Sequence, residues 1–321
     1  MNSQLVTVFG ASGFLGRHIV RGLASQGYRI RAVVRRPSHA NHLPPMGHVG
    51  QIQLFRGNVR DEDQIAAALA GANLAINLTG ILYQRGEQTF EAIHERAAAA
   101  IAREARKAGC TALVHVSAIG ADPTSESRYA SSKGRGEARV REALPSAVIL
   151  RPSIVFGPED QFFNRFAGLA RVSPALPLIG GGTTKFQPVF VGDVALATLR
   201  SLRDAALAGK VFELGGPSVS TFRELMEFVL RETGRRRILM PIPFPVAMVQ
   251  AFFLQFMPSP LLTPDQVRLL RGDNVVHAGA LTFSDLAIVP TSVEAEVPVY
   301  LWRYRPRGQY QVSDPDEVRS T

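Results

Sequence analysis

Tyr129 and Lys133 stand four residues apart in Arg128-Tyr-Ala-Ser-Ser-Lys133, a spacing that puts both side chains on one face of a helix. An ammonium beside a phenol stabilises phenolate, so the pair is expected to lower the tyrosine pKa from about 10. Tyr129 could then act as acid or base toward a carbonyl or an alcohol. A second constellation opens the chain. Gly10, Gly13 and Gly16 recur every three residues in Gly10-Ala-Ser12-Gly13-Phe14-Leu15-Gly16-Arg17. Such a turn lets backbone N–H groups approach a pyrophosphate at a helix N-terminus, where unsatisfied donors and the positive end of the dipole lie. Gly10 allows the tight turn, Gly13 the approach of phosphate and Gly16 the packing of helix on strand.

These residues need a strand before the glycines and a helix after them. Val6, Val8 and Phe9 supply a short apolar β run ahead of Gly10, and the segment after Gly16 has a helical pattern. Strand and helix patterns then alternate: strands at Tyr28–Val34, Gln51–Phe55, Asn73–Leu78, Ala112–Val116 and Ala147–Leu150, helices near Asp61–Leu69, Phe90–Lys107 and Arg128–Ala143. Alternation of this kind implies an α/β protein with a Rossmann-type, doubly wound parallel sheet. After Arg151 prolines and irregular stretches increase, with helices predicted at Val191–Arg203 and Thr221–Thr233, the second opened by a Thr221/Glu224 capping box. The division expected is a nucleotide-binding core over residues 1–155 and a small C-terminal, substrate-side lobe over 156–321, with 185–215 returning to the core.

At the end of the second strand, dinucleotide sites discriminate between NAD and NADP. An acidic residue there favours a free ribose hydroxyl; this chain has Arg35 and Arg36, whose paired N–H donors suit a 2′-phosphate. Arg17 could reach the same group, so the cofactor expected is NADPH (NADP). Asn58 and Val59 would edge the adenine, and Leu78, Thr79 and Gly80 would run along the central phosphates and the nicotinamide ribose.

The 321 residues carry a formal charge of +9, with 46% hydrophobic and 20% charged residues, a folded globular composition with an anionic partner. Cys110 is the single cysteine, which excludes an internal disulfide framework and reads as a small buried hydrophobe. The first strand begins almost at once, leaving no room for a signal or transit peptide, so the chain is expected on the cytoplasmic side. Scattered arginines without a reader motif speak against nucleic acid. The seven histidines, His39, His42 and His48 included, show no metal-ligand spacing. From Arg235 to Met257 a triple arginine runs into an uncharged stretch whose prolines confine any helix to about Val246–Met257, too short to span a bilayer. Two readings stay open: adsorption onto an anionic membrane surface or membrane complex, and a lobe helix packed over the substrate cleft. The chain ends in an acidic stretch beyond Tyr310 that is expected to fray.

With these motifs together, the chain resembles the short-chain dehydrogenase/reductase superfamily in its extended and atypical branches. The resemblance rests on Gly10–Gly16, Tyr129-x-x-x-Lys133, Leu150-Arg-Pro152-Ser-Ile154-Val-Phe-Gly-Pro158 and Phe186-Gln-Pro-Val-Phe-Val-Gly-Asp193. Gly157–Phe166, Leu178–Gly182 and Phe186–Val189 make it similar to the NADPH-binding accessory subunit of respiratory complex I (alpha subcomplex subunit nine) and its bacterial relatives. That resemblance implies a tightly held NADPH contacted also by Pro152 and Ile154, complex I subunits as partners, and a peripheral place on the inner membrane. It also implies an accessory or assembly role and ties related proteins to ubiquinone biosynthesis. Active members of the superfamily place a serine or threonine just after the fifth strand; here that position holds Ala118 or Ile119, with Ser117 before it and Ser125 and Ser127 farther on. Loss of one donor to a developing oxyanion costs roughly 10²–10³ in rate. The expected function is therefore an NADPH-binding accessory protein of complex I, and the alternative is an active NADPH-dependent reductase, epimerase or isomerase linked to quinone biosynthesis.

Overall fold

The structure, a computed structural model, describes residues 4–258 and 260–308; Tyr310 and the acidic end expected to fray lie outside them. The first half runs β1 (Leu5–Phe9), α1 (Phe14–Ser25), β2 (Arg29–Val34), β3 (Ile52–Arg56), α2 (Glu62–Leu69), β4 (Leu74–Asn77), a π-helical turn (Glu91–Arg96) continuing as α3 (Ala97–Lys107), β5 (Ala112–Val116), α4 (Arg128–Ala143) and β6 (Val148–Pro152). Strict alternation of side chains along buried strands separates the two faces. Val6, Val8, Ile76, Val114 and Val116 join one core with α1, while Phe9, Ala75 and Leu113 join another with α2, α3 and Val140 of α4.

The second half continues with β7 (Val155–Phe156), α5 (Phe163–Val172), β8 (Ala175–Ile179), β9 (Lys185–Phe186), β10 (Val189–Phe190), α6 (Val191–Arg203), β11 (Val211–Leu214), β12 (Ser220–Thr221), α7 (Phe222–Glu232), β13 (Ile238–Ile242), α8 (Phe244–Leu254), α9 (Pro264–Leu269) and α10 (Val293–Leu301). β11 adds to the main sheet, which has the order β11-β6-β5-β4-β1-β2-β3 with all pairings parallel. The order reverses between β1 and β4, so a crevice opens outside their carboxyl ends, the place where doubly wound sheets take ligands. α6 packs beside α1 on the first core. The lobe has its own core, rich in phenylalanine: Phe156, Phe163, Phe186, Phe222 and Phe228. Both halves of the Thr221/Glu224 capping box are formed at α7.

The expected helix Phe90–Lys107 is not α-helical throughout. Its first turn is π-helical, and Gly136 of α4 lies so close that a Cβ there would stand 2.0 Å from the His94 carbonyl oxygen. A widened turn at such a contact is a common accompaniment of functional sites.

Candidate dinucleotide site

The glycine turn is built as a cradle. Gly10 has φ 81°, in the left-handed region, and its N–H-to-carbonyl turn is closed by Gly13 N donating to Gly10 O at 3.1 Å. A Cβ on Gly16 would lie 2.3 Å from Gly10 O and 2.5 Å from Ala11 O, so only glycine lets α1 seat on the turn. No side chain caps α1 and no acidic residue occupies its first turn, so the donors of Phe14 and Leu15 and the dipole favour an anion. Ser12 is half-buried on the turn and Gly13 is exposed.

Around the crevice the structure places Asn58 and Val59 half-buried after β3, Leu78 and Thr79 half-buried and Gly80 exposed after β4, and Pro152 buried and Ile154 half-buried at the end of β6. Arg35 and Arg36 are exposed just after β2. Arg17 is engaged elsewhere than expected: its Nη1 pairs with Glu159 at 3.4 Å, on the loop after β7, and Glu159 also meets His18 at 3.2 Å. Its Nε is buried with no hydrogen-bond partner.

At the ends of β4 and β5, α4 carries both Tyr129 and Lys133. Lys133 Nζ donates to Val116 O at 3.4 Å, and a Cβ on Gly80 would lie 3.4 Å from the same nitrogen, so the ammonium sits between the ends of β4 and β5. Burial pulls Lys133 down to about 8, against the opposing pull of Glu137. Tyr129 lies edge-on to Phe90 and His94, with ring centroids 5.9 and 5.4 Å away. Their desolvation of the phenolate pushes Tyr129 up to about 12, the reverse of the lowering expected from Lys133. Burial alone accounts for the shift, and at neutral pH Tyr129 keeps its proton.

Two histidines unrecognised in the sequence complete this end. His94 Nε2 accepts from Ile81 N at 3.1 Å. Ser132 Oγ donates to Tyr129 O, so it accepts from His94 Nδ1, 2.8 Å away. His94 thus ties the loop after β4 to α4 as a neutral ring, held near 2 by burial and by Lys133. His115 faces Asn77 directly across the β4–β5 pairing; Asn77 Nδ2 donates to its Nδ1 at 3.1 Å while Asn77 Oδ1 accepts from Thr79. Its Nε2 is buried and unpartnered, and burial lowers it to about 3. Polar side chains at the last positions of buried strands were the signal available for both Asn77 and His115.

The serines sort by their bonds. Ser127 is the N-cap of α4, accepting from Ala130 N at 3.2 Å and donating to Asp265 at 3.0 Å, and Ser125 accepts from Ser127 N. Ser117 alone of the three has a buried hydroxyl without a partner, beside the carbonyl that receives Lys133. Asp265, on α9, also takes Arg128 N at 2.7 Å and Tyr129 N at 2.9 Å, so the lobe caps the helix that carries Tyr129. Beneath α4, Arg151 grips Glu137 at 2.6 Å and reaches Glu213 at 3.3 Å, fixing the helix on β6. Asp193 of the Phe186–Asp193 motif binds Thr291 N at 2.6 Å and so fastens the start of the last helix rather than lining the crevice. Cys110 is half-buried, its thiol pushed up to about 11 by burial.

The orphaned Ser117 hydroxyl and Arg17 Nε, with the Gly16 cradle, fit a dinucleotide. Residues 10–157 match the family described as NAD(P)H-binding. The chain is 39% identical over 319 residues to the NADH dehydrogenase [ubiquinone] 1 alpha subcomplex subunit 9, mitochondrial, of Arabidopsis thaliana, covering 95% of this chain and 79% of that one. The chain belongs to this subunit 9 family. A more distant relative is the ceramide reductase of Caulobacter vibrioides, 31% identical over 85% of this chain and 84% of that one. Among solved structures, the NADPH-dependent quinone oxidoreductase of Escherichia coli complexed with NADPH superposes with a TM-score of 0.74 at 20% identity, over 93% of this chain and all of that one. The fold is Rossmann-type, and among the described residues no helix is long and apolar enough to cross a membrane.

Proposed function

We propose that the protein is an NADPH-binding accessory or assembly protein of the respiratory NADH:quinone oxidoreductase, at the cytoplasmic face of the inner membrane, in which the nucleotide is a structural element. The likeness to a complex I subunit along nearly the whole chain carries this reading. Gly10–Leu15 would hold the pyrophosphate, Arg35 and Arg36 the 2′-phosphate, and Tyr129 and Lys133 the nicotinamide ribose. The exposed guanidiniums of Arg35 and Arg36 support the choice of NADPH, because an acidic side chain at that point would repel the extra phosphate. Losing one charge-assisted contact costs about 1.5–3 kcal/mol, so Arg35→Ala should weaken NADPH about 10–100-fold and leave NADH nearly unchanged. Equal affinities for the two nucleotides in the parent protein would refute the assignment.

The unpartnered Ser117 hydroxyl beside Lys133 favours a second reading, an NADPH-dependent reductase of a carbonyl compound or quinone precursor. NADPH, when bound, supplies a hydride. Tyr129, kept protonated by its surroundings, would donate a proton to the substrate oxygen, Lys133 would steady the ribose, and Ser117 Oγ would donate a second hydrogen bond. A high tyrosine pKa supports reduction over alcohol oxidation or epimerisation, which need phenolate as base.

A tagged pull-down from solubilised membranes, with identification of partners and bound nucleotide, tests the first reading; a soluble, partner-free protein overturns it. Tyr129→Phe separates the two: it should abolish turnover in a reductase and leave an accessory protein's growth phenotype intact, while Arg35→Ala removes the phenotype.

A further inference from the structure

α8 reverses the usual arrangement of a surface helix. It buries Ala247 and Ala251 and exposes its large residues: Val249 is 60%, Phe252 53% and Phe253 67% exposed, with Val246 on the same side. Phe256 (73%) and Met257 extend this apolar face into the following turn, and Phe252 meets Phe253 and Phe256 edge to face. Burying alanine and exposing phenylalanine discards the hydrophobic gain available to a soluble protein, so the face is built to be covered. The polar groups there are already used or few: Gln255 Nε2 turns back to Phe252 O, leaving Gln250 exposed.

Cations ring this face. No acidic residue stands between Glu232 and Asp265, while Arg235, Arg236 and Arg237 precede the helix. Arg85 donates to Pro258 O at 3.2 Å, Arg165 to the carbonyls of Pro260 and Leu261, and Arg271 lies over the Phe244 ring at 5.6 Å. These three arginines hold carbonyls and a ring, and none has a carboxylate partner among the described residues. Their positive charge is therefore uncompensated beside an uncharged aromatic ridge.

We propose that α8 and the turn after it lie in the plane of an anionic phospholipid leaflet, phenylalanines among the upper acyl chains and arginines at the phosphates. Eleven residues give a helix of about 16 Å, suited to the interface and too short to cross. Uncompensated arginines select lipid over a protein partner: a leaflet offers mobile phosphates around the whole rim, and an aromatic ridge with almost no hydrogen-bonding group matches acyl chain. The inference stands on this surface alone and holds whether the nucleotide site is structural or enzymatic.

Vesicle flotation of the purified full chain tests it, with phosphatidylcholine alone and with phosphatidylcholine containing phosphatidylglycerol. Binding is expected on the anionic vesicles and weak on the neutral ones, falling with added salt. Phe252→Gln/Phe253→Gln/Phe256→Gln, all exposed positions, should lower binding about ten-fold or more with unchanged NADPH affinity. Arg85→Gln with Arg271→Gln should lose the preference for anionic vesicles and keep the residual binding. Absence of flotation on either vesicle overturns the proposal. So does equal binding by the triple-glutamine variant. Self-association that the triple variant abolishes, without vesicle binding, would assign the face to a second copy and also overturn it.

Discussion

Replacing Asp265 with alanine removes one carboxylate from the lobe and, with it, the cap of the helix that carries Tyr129. The carboxylate accepts from Ser127 Oγ at 3.0 Å, Arg128 N at 2.7 Å and Tyr129 N at 2.9 Å. Two of these are first-turn amides that α4 itself cannot satisfy, and the negative charge sits at the positive end of its dipole. A lost helix cap costs about 0.5–2 kcal/mol and loss of a favourable dipole charge about 0.3–1 kcal/mol. Ser127 remains to accept from Ala130 N, and water can reach the exposed Arg128 amide, so the sum is held to about 1–3 kcal/mol. Urea unfolding of the nucleotide-free protein should show that loss, with Asp265→Asn recovering part of it because one acceptor oxygen survives. Hydrogen exchange should quicken at Arg128 and Tyr129 and not at the amides of β1 or β2. NADPH affinity should fall with it, since Tyr129 and Lys133 would be presented from a frayed turn. A change below about 0.5 kcal/mol, with exchange at Arg128 and Tyr129 unaltered, would refute the claim that the lobe holds this helix.

Gly16→Ala should abolish nucleotide binding in a fluorescence titration, because its Cβ would stand 2.3 Å from a backbone oxygen that cannot yield without moving the turn; retained binding would contradict the cradle. His94 and His115 are neutral when folded, with pKa values near 2 and 3, and regain ordinary values near 6.5 on unfolding. The unfolded chain therefore binds more protons below pH 6.5, and stability should fall as pH drops from there toward 3, by about 1 kcal/mol per pH unit for each histidine. His94→Gln should flatten that slope in urea titrations at pH 7 and 5; an unchanged slope sinks the assignment. Lys133, drawn down to about 8, disfavours folding at neutral pH, and the handicap should ease as pH rises from 8 toward 10. Lys133→Met should accordingly stabilise the nucleotide-free protein at pH 7, with the advantage shrinking by pH 10. Cys110 should resist thiol reagents at pH 8 until the chain unfolds, which a timed reaction with a chromogenic disulfide can read.

Local pattern alone determined the sheet and its first ligand turn. Strand alternation with one-residue sensitivity, the three glycines and the helical spacing of Tyr129 and Lys133 are written in short windows, and each follows from sterics or helix geometry that no distant residue can alter. The capping box at Thr221 and the bounds of α4 were legible for the same reason. What a window cannot contain is which distant groups share a crevice. Asp265 capping α4, Glu159 taking Arg17 and His94 bracing Ser132 are contacts between segments far apart in the chain, and only the fold sets them. Burial is likewise tertiary. Spacing put an ammonium on the same helix face as Tyr129 and so implied a lowered pKa, yet the packing of Phe90 and His94 around the phenol removes water, and desolvation raises it instead. The uncharged stretch after Arg237 had two readings in the sequence, core or interface, because composition is the same for both; which side chains turn outward was decided when Ala247 and Ala251 took the inner face and the phenylalanines the outer one.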